Sequence, residues 1–328
     1  MGAGVSASCG IAVAQSIFRE AMLQLSRSDW DKVSKVHKLV SYLYPGFDSD
    51  LNNYPNIEDF LNLLQMAKTF NTEEFIESSL WPDSKLSEVQ HITMKAVTDY
   101  LWSRTMQQTK ASALERFVKQ HLRFTDVIIT FNWDITLENA LSDRHAPSIY
   151  YTYSRKGRKK DHVVVLKPHG SIDWYRKNEL PSSAAKESWK LDDTYVIYPY
   201  SDFSEHPKVR ELQPLIVAPL ATKEFSADFL KKTWRGLYRA VSDATELIIV
   251  GYSLPKEDQF ARLVLRRAIR SNLAKEKRGE KRPLTISVVN PDDTVAVTFT
   301  RMAGLKSGIK YYQARFEDYA AWLDENEN

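Results

Sequence analysis

The chain has 328 residues, 43% hydrophobic and 27% charged, which is enough for one large or two modest globular domains. Its formal net charge of +3 is too small to indicate nucleic-acid binding, and its single cysteine, Cys9, excludes an intramolecular disulfide and a four-cysteine zinc site within this chain. No apolar run approaches the ~20 residues of a membrane helix, and no signal-peptide pattern is present, so we expect a cytoplasmic protein without a membrane partner.

The first part of the chain is predicted to be helical after a glycine-rich start. The small residues MGAGVSASCG run directly into a helical pattern, IAVAQSIFREAMLQL. The helical spacing continues from about Asp29 to Gln120, including the stretch TEEFIESSL, with proline-bearing breaks near Pro45, Pro55 and Pro82. We interpret residues 29–120 as an all-helical insert.

After Phe124 the pattern changes to short, β-branched apolar runs. DVIITF, HVVVLK, LIIVGY and LTISVV have the length of strands buried on both faces, and helical patterns separate several of them. This alternation predicts an α/β fold with a Rossmann-like, doubly wound and mostly parallel sheet, formed by residues 1–28 and 121–328. The stretch Tyr150 to Pro214 fits less well and is interpreted as an elaborated loop or hairpin region.

Polar or small residues follow each of the four apolar runs. Because ligands bind outside the carboxyl ends of the strands in open parallel sheets, these residues are the candidates for a site. The small residues at the start of the chain could add backbone N–H groups for a phosphate. The four segments are Phe131-Asn132-Trp133-Asp134, Pro168-His169-Gly170-Ser171, Gly251-Tyr252-Ser253-Leu254-Pro255 and Asn290-Pro291-Asp292-Asp293.

Taken in order, these motifs resemble the sirtuin superfamily, and more closely the sirtuin-like NADases of bacterial antiphage defence. The blocks that match are Thr130 to Asp134 with Glu138, Lys167 to Trp174, and Gly251 to Pro255 with Asp258. The resemblance covers nearly the whole chain apart from the helical insert. It implies an enzyme that consumes NAD+ as its substrate.

The resemblance also implies roles for individual residues. Asn132 and His169 are the expected catalytic residues, with His169 as general base or ribose-positioning group and Asn132 orienting nicotinamide or water. The remaining cofactor-binding residues are expected to be Ala3, Gly4, Ser6, Asp134, Gly251, Tyr252, Ser253 and Asn290. The residue types suit the chemistry, since a neutral imidazole can activate water and an amide or carboxylate can stabilise an oxocarbenium-like centre.

Each of these residues also has a purely structural interpretation. Asn132 and Asp134 could cap the helix predicted to begin around Thr136, and His169 before Gly170 could belong to a structural turn. Tyr252 could be a packing residue.

We favour hydrolysis of NAD+ to nicotinamide and ADP-ribose, without a metal ion. Protein-deacylating sirtuins carry a zinc module held by four cysteines, which this chain cannot build, so protein deacylation is disfavoured. The main alternative is a non-catalytic module that senses NAD+ or ADP-ribose within a defence complex. A third possibility is a nuclease-associated scaffold that uses the basic run 155–160, although such runs are usually solvated and direct nucleic-acid binding is not expected.

An unrestrained NAD+ hydrolase would poison its own cell, so we expect a gate. The resemblance implies a homo-oligomer, a phage trigger, or a separately encoded partner such as a helicase-type ATPase or a short Argonaute. In the family an apolar strand precedes the glycine loop, whereas here the loop begins at Gly2. Either the start codon has been placed too late, or the chain lacks this strand and the sheet has an exposed or partner-filled edge. We expect that an upstream extension of the reading frame would raise activity.

Overall fold

The structure is a computed structural model that describes residues 1–107, 112–142, 149–151, 153, 163–198, 207–217, 227–280, 282–304 and 309–326. The basic run 155–160 lies outside the described residues. The chain divides into two compact units, the first comprising Met1–Gly10, Gln108–Ser171 and Thr222–Asn328, and the second Ile11–Gln107 and Ile172–Ala221. The second unit thus holds most of the predicted helical insert together with residues 11–28 and 172–221.

The helices and strands are numbered in chain order. The helices are α1 (Ala3–Ala7), α2 (Ala14–Ser26), α3 (Trp30–Leu43), α4 (Ile57–Thr69), α5 (Asp83–Met106), α6 (Ala113–Gln120), α7 (Thr136–Ser142), α8 (Ser182–Glu187), α9 (Pro207–Arg210), α10 (Asp228–Asp243), α11 (Gln259–Lys277), α12 (Thr294–Ala303) and α13 (Phe316–Asn326). The strands are β1 (Val127–Ile129), β2 (Ile149–Tyr150), β3 (Val163–Leu166), β4 (Trp174–Arg176), β5 (Trp189–Lys190), β6 (Tyr195–Ile197), β7 (Glu246–Val250), β8 (Thr285–Val289) and β9 (Lys310–Tyr312).

The first unit contains two parallel three-stranded sheets, in the orders β1-β3-β2 and β7-β8-β9. The four predicted apolar runs form β1, β3, β7 and β8, and every residue of β3 is buried, as expected for a strand covered on both faces. Helices α10, α11 and α12 contribute their apolar faces to the core around β7 and β8. The predicted α/β, Rossmann-like and mostly parallel fold is confirmed.

The first residues of the chain hydrogen-bond to both parallel sheets. The amino group of Met1 donates to the Ile129 carbonyl at 2.6 Å, and the Phe131 amide donates to the Met1 carbonyl at 3.2 Å. On the other side, the Gly2 amide donates to the Val250 carbonyl at 3.0 Å. The glycine-rich segment therefore lies at the carboxyl ends of β1 and β7, where the polar residues after the strands also lie.

The second unit combines helices α2 to α5 with a small antiparallel sheet in the order β4-β6-β5. Helices α2, α3 and α4 each bury one apolar face, and α5 carries buried residues along its length. In the described part of the chain, no helix combines the length and the apolar character needed to cross a bilayer.

Two local expectations were wrong. The stretch TEEFIESSL, predicted as helix, forms turns over residues 72–80, because the Glu73 carboxylate accepts hydrogen bonds from the Ser78 hydroxyl at 2.8 Å and the Ser79 amide at 2.6 Å. Such side-chain bonds compete with the helical backbone pattern. The glycine-rich start also does not run directly into α2, since α1 ends at Ala7 and Gly10 turns the chain with a φ of +82°.

Candidate active site

The glycine-rich start packs directly against the turn after β7. A Cβ atom added to Gly4 would lie 2.8 Å from Gly251 Cα, and one added to Gly2 would lie 2.6 Å from the Gly251 carbonyl oxygen. Gly251 itself has a φ of +60°, in the left-handed region that favours glycine. Two of the predicted cofactor-binding residues, Gly4 and Gly251, are therefore in backbone contact, and only glycine permits that approach.

Ser6, Asn132 and Asp134 form a directed chain of hydrogen bonds. Ser6 Oγ donates to Asp134 Oδ2 at 2.8 Å, and Asn132 Nδ2 donates to Ser6 Oγ at 2.7 Å and to the Gly2 carbonyl at 3.0 Å. The direction is fixed because an ionised carboxylate can only accept. With both amide hydrogens of Asn132 bound by the protein, its Oδ1 atom is the acceptor left for water or a substrate. The structure thus brings together three residues predicted from distant parts of the sequence.

Asp134 is also tied to the helix that follows it. Its Oδ1 atom accepts from the Thr136 amide at 3.1 Å and from the Thr136 hydroxyl, so the predicted capping interpretation applies to Asp134. It does not apply to Asn132, whose amide group binds the glycine-rich start instead. One carboxylate thus fixes both the start of α7 and the position of Ser6.

A buried ion pair stabilises the segment that carries Asp134. Lys167, which is fully buried at the end of β3, donates to Glu138 Oε1 at 2.9 Å and to the Asp134 carbonyl at 2.6 Å. A buried charge without its partner costs several kcal/mol, so each side chain holds the other in place. The pair connects the segment after β3 to the segment after β1, and the bond from Lys167 to the Asp134 carbonyl holds the Asp134 backbone in position.

His169 forms a second pair with Asp258. The His169 Nε2 and Asp258 Oδ2 atoms are 2.8 Å apart, and the two residues are 4% and 0% exposed. Asp258 Oδ1 also accepts from the Ala261 amide at 3.2 Å and so caps α11. A proton on Nε2 would face this carboxylate, and in that tautomer Nδ1 is the nitrogen that can act as a base.

Aromatic rings surround the histidine. The His169 ring lies 5.2 Å from the ring of Phe131, in a T-shaped contact, and 5.9 Å from Trp234. Tyr252 stacks on Phe131 with centroids 4.2 Å apart and an 8° angle between the rings. Tyr252 therefore has the packing role that the sequence left open, and it links the turn after β7 to the residue that precedes Asn132.

The three remaining predicted residues, Asn290, Ser253 and Ala3, lie in the segments at the same edge of the sheet. The Gly251 amide donates to the Val289 carbonyl at 3.0 Å, which places Asn290 next to the turn after β7, and Asn290 Oδ1 accepts from the Asp292 amide at 3.0 Å. Ser253 is exposed, and Ala3 begins α1. We find no interaction among the described residues that assigns these three a chemical role.

Burial raises the pKa of the Cys9 thiol, and the nearby Asp134 carboxylate raises it further, although hydrogen bonds from Ser8 and Ser112 oppose the shift. The thiol is therefore protonated near neutral pH. Since the thiolate is the nucleophilic form of cysteine, Cys9 is a poor candidate for covalent chemistry at this site.

Sequence reasoning assigned no role to Asp258, Lys167 or Trp234. Asp258 carried one signal, since it follows Pro255 and precedes the helical run of α11, which is typical of a helix cap. Lys167 also had a signal, because it is a charged residue at the end of an otherwise apolar run. Neither signal identifies the residue that each side chain contacts, and Trp234 looks like an ordinary core residue of an amphipathic helix.

One comparison with known proteins identifies a family. A sequence profile described as a SIR2-like domain matches residues 126–299, which is more than half of the chain. A search of curated proteins gives no significant match. Among solved structures, one of mutant Sir2 homologues in complex with 2′-O-acetyl ADP-ribose aligns with a TM-score of 0.44 and 16% identity, covering 99% of this chain and 88% of that one.

Proposed function

This chain belongs to the SIR2-like domain family, and from that premise we propose that it hydrolyses NAD+ to nicotinamide and ADP-ribose. The observation that carries the proposal is the buried His169–Asp258 pair at the edge of the sheet where Ser6, Asn132 and Asp134 also meet. The proposal uses His169 as a base and Asn132 as an amide acceptor, which are residue types that can activate water and stabilise a developing positive centre.

The proposed reaction breaks the bond between the nicotinamide nitrogen and the ribose carbon. The bonding electron pair leaves with nicotinamide, and the ribose carbon takes on oxocarbenium character. A water oxygen then bonds to that carbon, and the proton that water loses passes to His169 Nδ1. Asn132 Oδ1 orients the water or stabilises the positive centre, because its Nδ2 hydrogens are held by Ser6 and the Gly2 carbonyl.

Asp258 acts as a positioning residue in this scheme. It holds the proton on Nε2, so that Nδ1 is the basic nitrogen, and it stabilises the imidazolium that forms when Nδ1 takes the proton. The rings of Phe131 and Trp234 limit the movement of the imidazole. The glycine contacts between Gly4 and Gly251 fix the segment that carries Ser6.

The test is nicotinamide release by the purified chain, with product mass recorded, for the parent, His169→Ala and Asn132→Ala. We expect turnover in the parent and at least about a 10²-fold loss in each variant, with NAD+ binding retained in calorimetry. Asp29→Ala serves as the control, because Asp29 caps α3 in the other unit. Equal turnover in parent and variants would overturn the mechanism. NAD+ binding without turnover by the purified chain, together with no loss of NAD+ in phage-challenged cells, would favour the nucleotide sensor.

We further propose that NAD+ depletion serves antiphage defence under control of a trigger, a self-assembly step or a separately encoded partner. The support is the resemblance of the ordered motifs to sirtuin-like defence NADases. The test is the NAD+ content of cells expressing the chain, before and after phage challenge. Depletion that is independent of infection and of any partner would contradict a gate.

A further inference from the structure

A groove lies between α10 and α11 on the first unit, outside the candidate active site. Its volume is about 330 Å³, and the residues that line it include Trp234, Phe260, Leu263 and Val264. Leu263 is 52% exposed, so its side chain is accessible to a binding partner. These apolar side chains suit a hydrophobic occupant better than a nucleotide.

The charged residues that line the groove are basic. They are Lys231, Arg235 and Arg267, and among the described residues no acidic side chain lines it. Helices α10 and α11 together carry ten lysines and arginines against three aspartates and glutamates. An occupant of this groove should therefore combine large apolar side chains with negative charge.

The second unit presents such a surface. Phe70 and Phe75 are 56% and 73% exposed, and their ring centroids are 5.8 Å apart. We call this pair the aromatic wedge. Residues 70–80 contain three glutamates and no basic residue, and the hydrogen bonds that Glu73 accepts lower its pKa. Two neighbouring exposed phenylalanines flanked by carboxylates are complementary in apolar character and in charge to a groove lined by apolar and basic side chains.

We propose that the groove binds the aromatic wedge of a second copy of this chain. Large aromatic anchors in a well-packed pocket dominate the energy of protein interfaces, and opposite charges at the rim set the orientation and speed of encounter. Because groove and wedge are different surfaces, each contact takes one surface from each copy, so the assembly closes as a reciprocal dimer or a larger ring, or grows as an open chain of subunits.

Residues of the groove are connected to the histidine. Trp234 lines the groove and its ring lies 5.9 Å from the His169 ring, and Phe260, 4.8 Å from Trp234, lies two residues after Asp258. Helix α10 thus carries one residue in contact with His169, and the N-cap of α11 is another.

The experiment measures assembly of the full chain by sedimentation velocity across a concentration series. We expect the parent to self-associate, and Leu263→Asp and Phe75→Asp each to weaken association at least about tenfold. Val297→Asp and Leu51→Asp are matched controls, because these residues are 47% and 72% exposed and lie outside both surfaces. All four variants replace exposed side chains, and circular dichroism checks that they remain folded.

Mixing the two variants tests the pairing itself. Leu263→Asp keeps an intact wedge and Phe75→Asp keeps an intact groove, so an equimolar mixture should form a 1:1 dimer that cannot grow further. A parent that stays monomeric, or a mixture that stays monomeric while the parent assembles, would overturn the proposal. Assembly as expected with no NAD+ turnover would instead count against the proposed function, because sedimentation does not depend on catalysis.

Discussion

Replacing Asp258 by asparagine tests the arrangement around His169 most directly. Asparagine has nearly the same shape and is a good helix cap, so its carbonyl oxygen can still accept from the Ala261 amide. The charged acceptor for His169 Nε2 is lost, however, and the side-chain amide favours the opposite tautomer, in which Nδ1 carries the proton. The substitution therefore removes the base while leaving the fold in place.

The expected effect is large on kcat and small elsewhere. A hydrogen bond to a charged group is worth about 1.5–3 kcal/mol, and the wrong tautomer adds to this loss. In serine proteases the equivalent change, from aspartate to asparagine beside the catalytic histidine, lowers kcat by about 10⁴. We expect kcat for NAD+ to fall at least about 10²-fold, which corresponds to about 3 kcal/mol, with KM changed less than about threefold.

The assay compares steady-state nicotinamide release and thermal unfolding for the parent, Asp258→Asn and Asp258→Ala. The alanine variant should lose the helix cap as well, at a cost of about 0.5–2 kcal/mol, and unfold at a lower temperature. Asp29→Asn is the matched control, since Asp29 caps α3 through the Lys32 amide at 3.1 Å, in the other unit. An imidazole ¹⁵N spectrum reports the tautomer without turnover. Parental kcat in Asp258→Asn, or an unchanged tautomer, would refute the reasoning.

Three further predictions concern stability. Gly251→Ala should lower the free energy of unfolding by about 3 kcal/mol or more in denaturant titrations, because the new Cβ would lie 2.8 Å from the backbone of Gly4. Gly279→Ala is the control, since Gly279 has a φ of +72° and a Cβ there would have no atom within 4 Å; it should lower the free energy of unfolding by only about 1 kcal/mol. Lys167→Met should lose about 3–5 kcal/mol by leaving Glu138 buried without its partner, and adding Glu138→Leu should restore most of it. Burial lowers the pKa of His37 in the folded protein below its ordinary 6.5, so the unfolded state takes up the proton first as pH falls. The free energy of unfolding should therefore decrease as pH falls below about 6.5, until the folded state is protonated as well. His37→Gln should make the free energy of unfolding less dependent on pH in this range.

The sheet and its polar edge could be predicted from the sequence because both depend on local patterns. Runs such as HVVVLK have the length and β-branched character of a buried strand, and residues that follow parallel strands must reach a common edge. The positions of Asn132 and His169 at this edge were predicted in this way, whereas their catalytic roles were implied by the resemblance and stay a prediction. The turns over residues 72–80 were not predicted, because the apolar residues there have helical spacing. The Glu73 carboxylate instead accepts hydrogen bonds from Ser78 and Ser79, and these bonds compete with the backbone bonds of a helix.

The partners of the site residues could not be predicted, because they depend on tertiary packing. Nothing in the local sequence of Asp258 says that its second oxygen meets His169 rather than water. The glycines illustrate the same limit. The sequence suggested that Gly4 approaches a phosphate, whereas the structure shows a contact with Gly251 that would exclude any side chain. A phosphate-binding role and the contact with Gly251 are compatible. The contact depends on tertiary packing, however, and could not be predicted from the sequence.

The burial of Asp258 favours an enzyme over a nucleotide sensor. A fully buried carboxylate loses its hydration, and an ion pair in a protein interior often recovers less than that loss, so the fold alone gains little from it. Capping α11 does not require the charge, since asparagine or serine would cap equally well. A sensor needs His169 only as a neutral hydrogen-bonding group, which an amide partner could position. A base that must become an imidazolium during the reaction does need an anion beside it, and the anion lies 2.8 Å from Nε2.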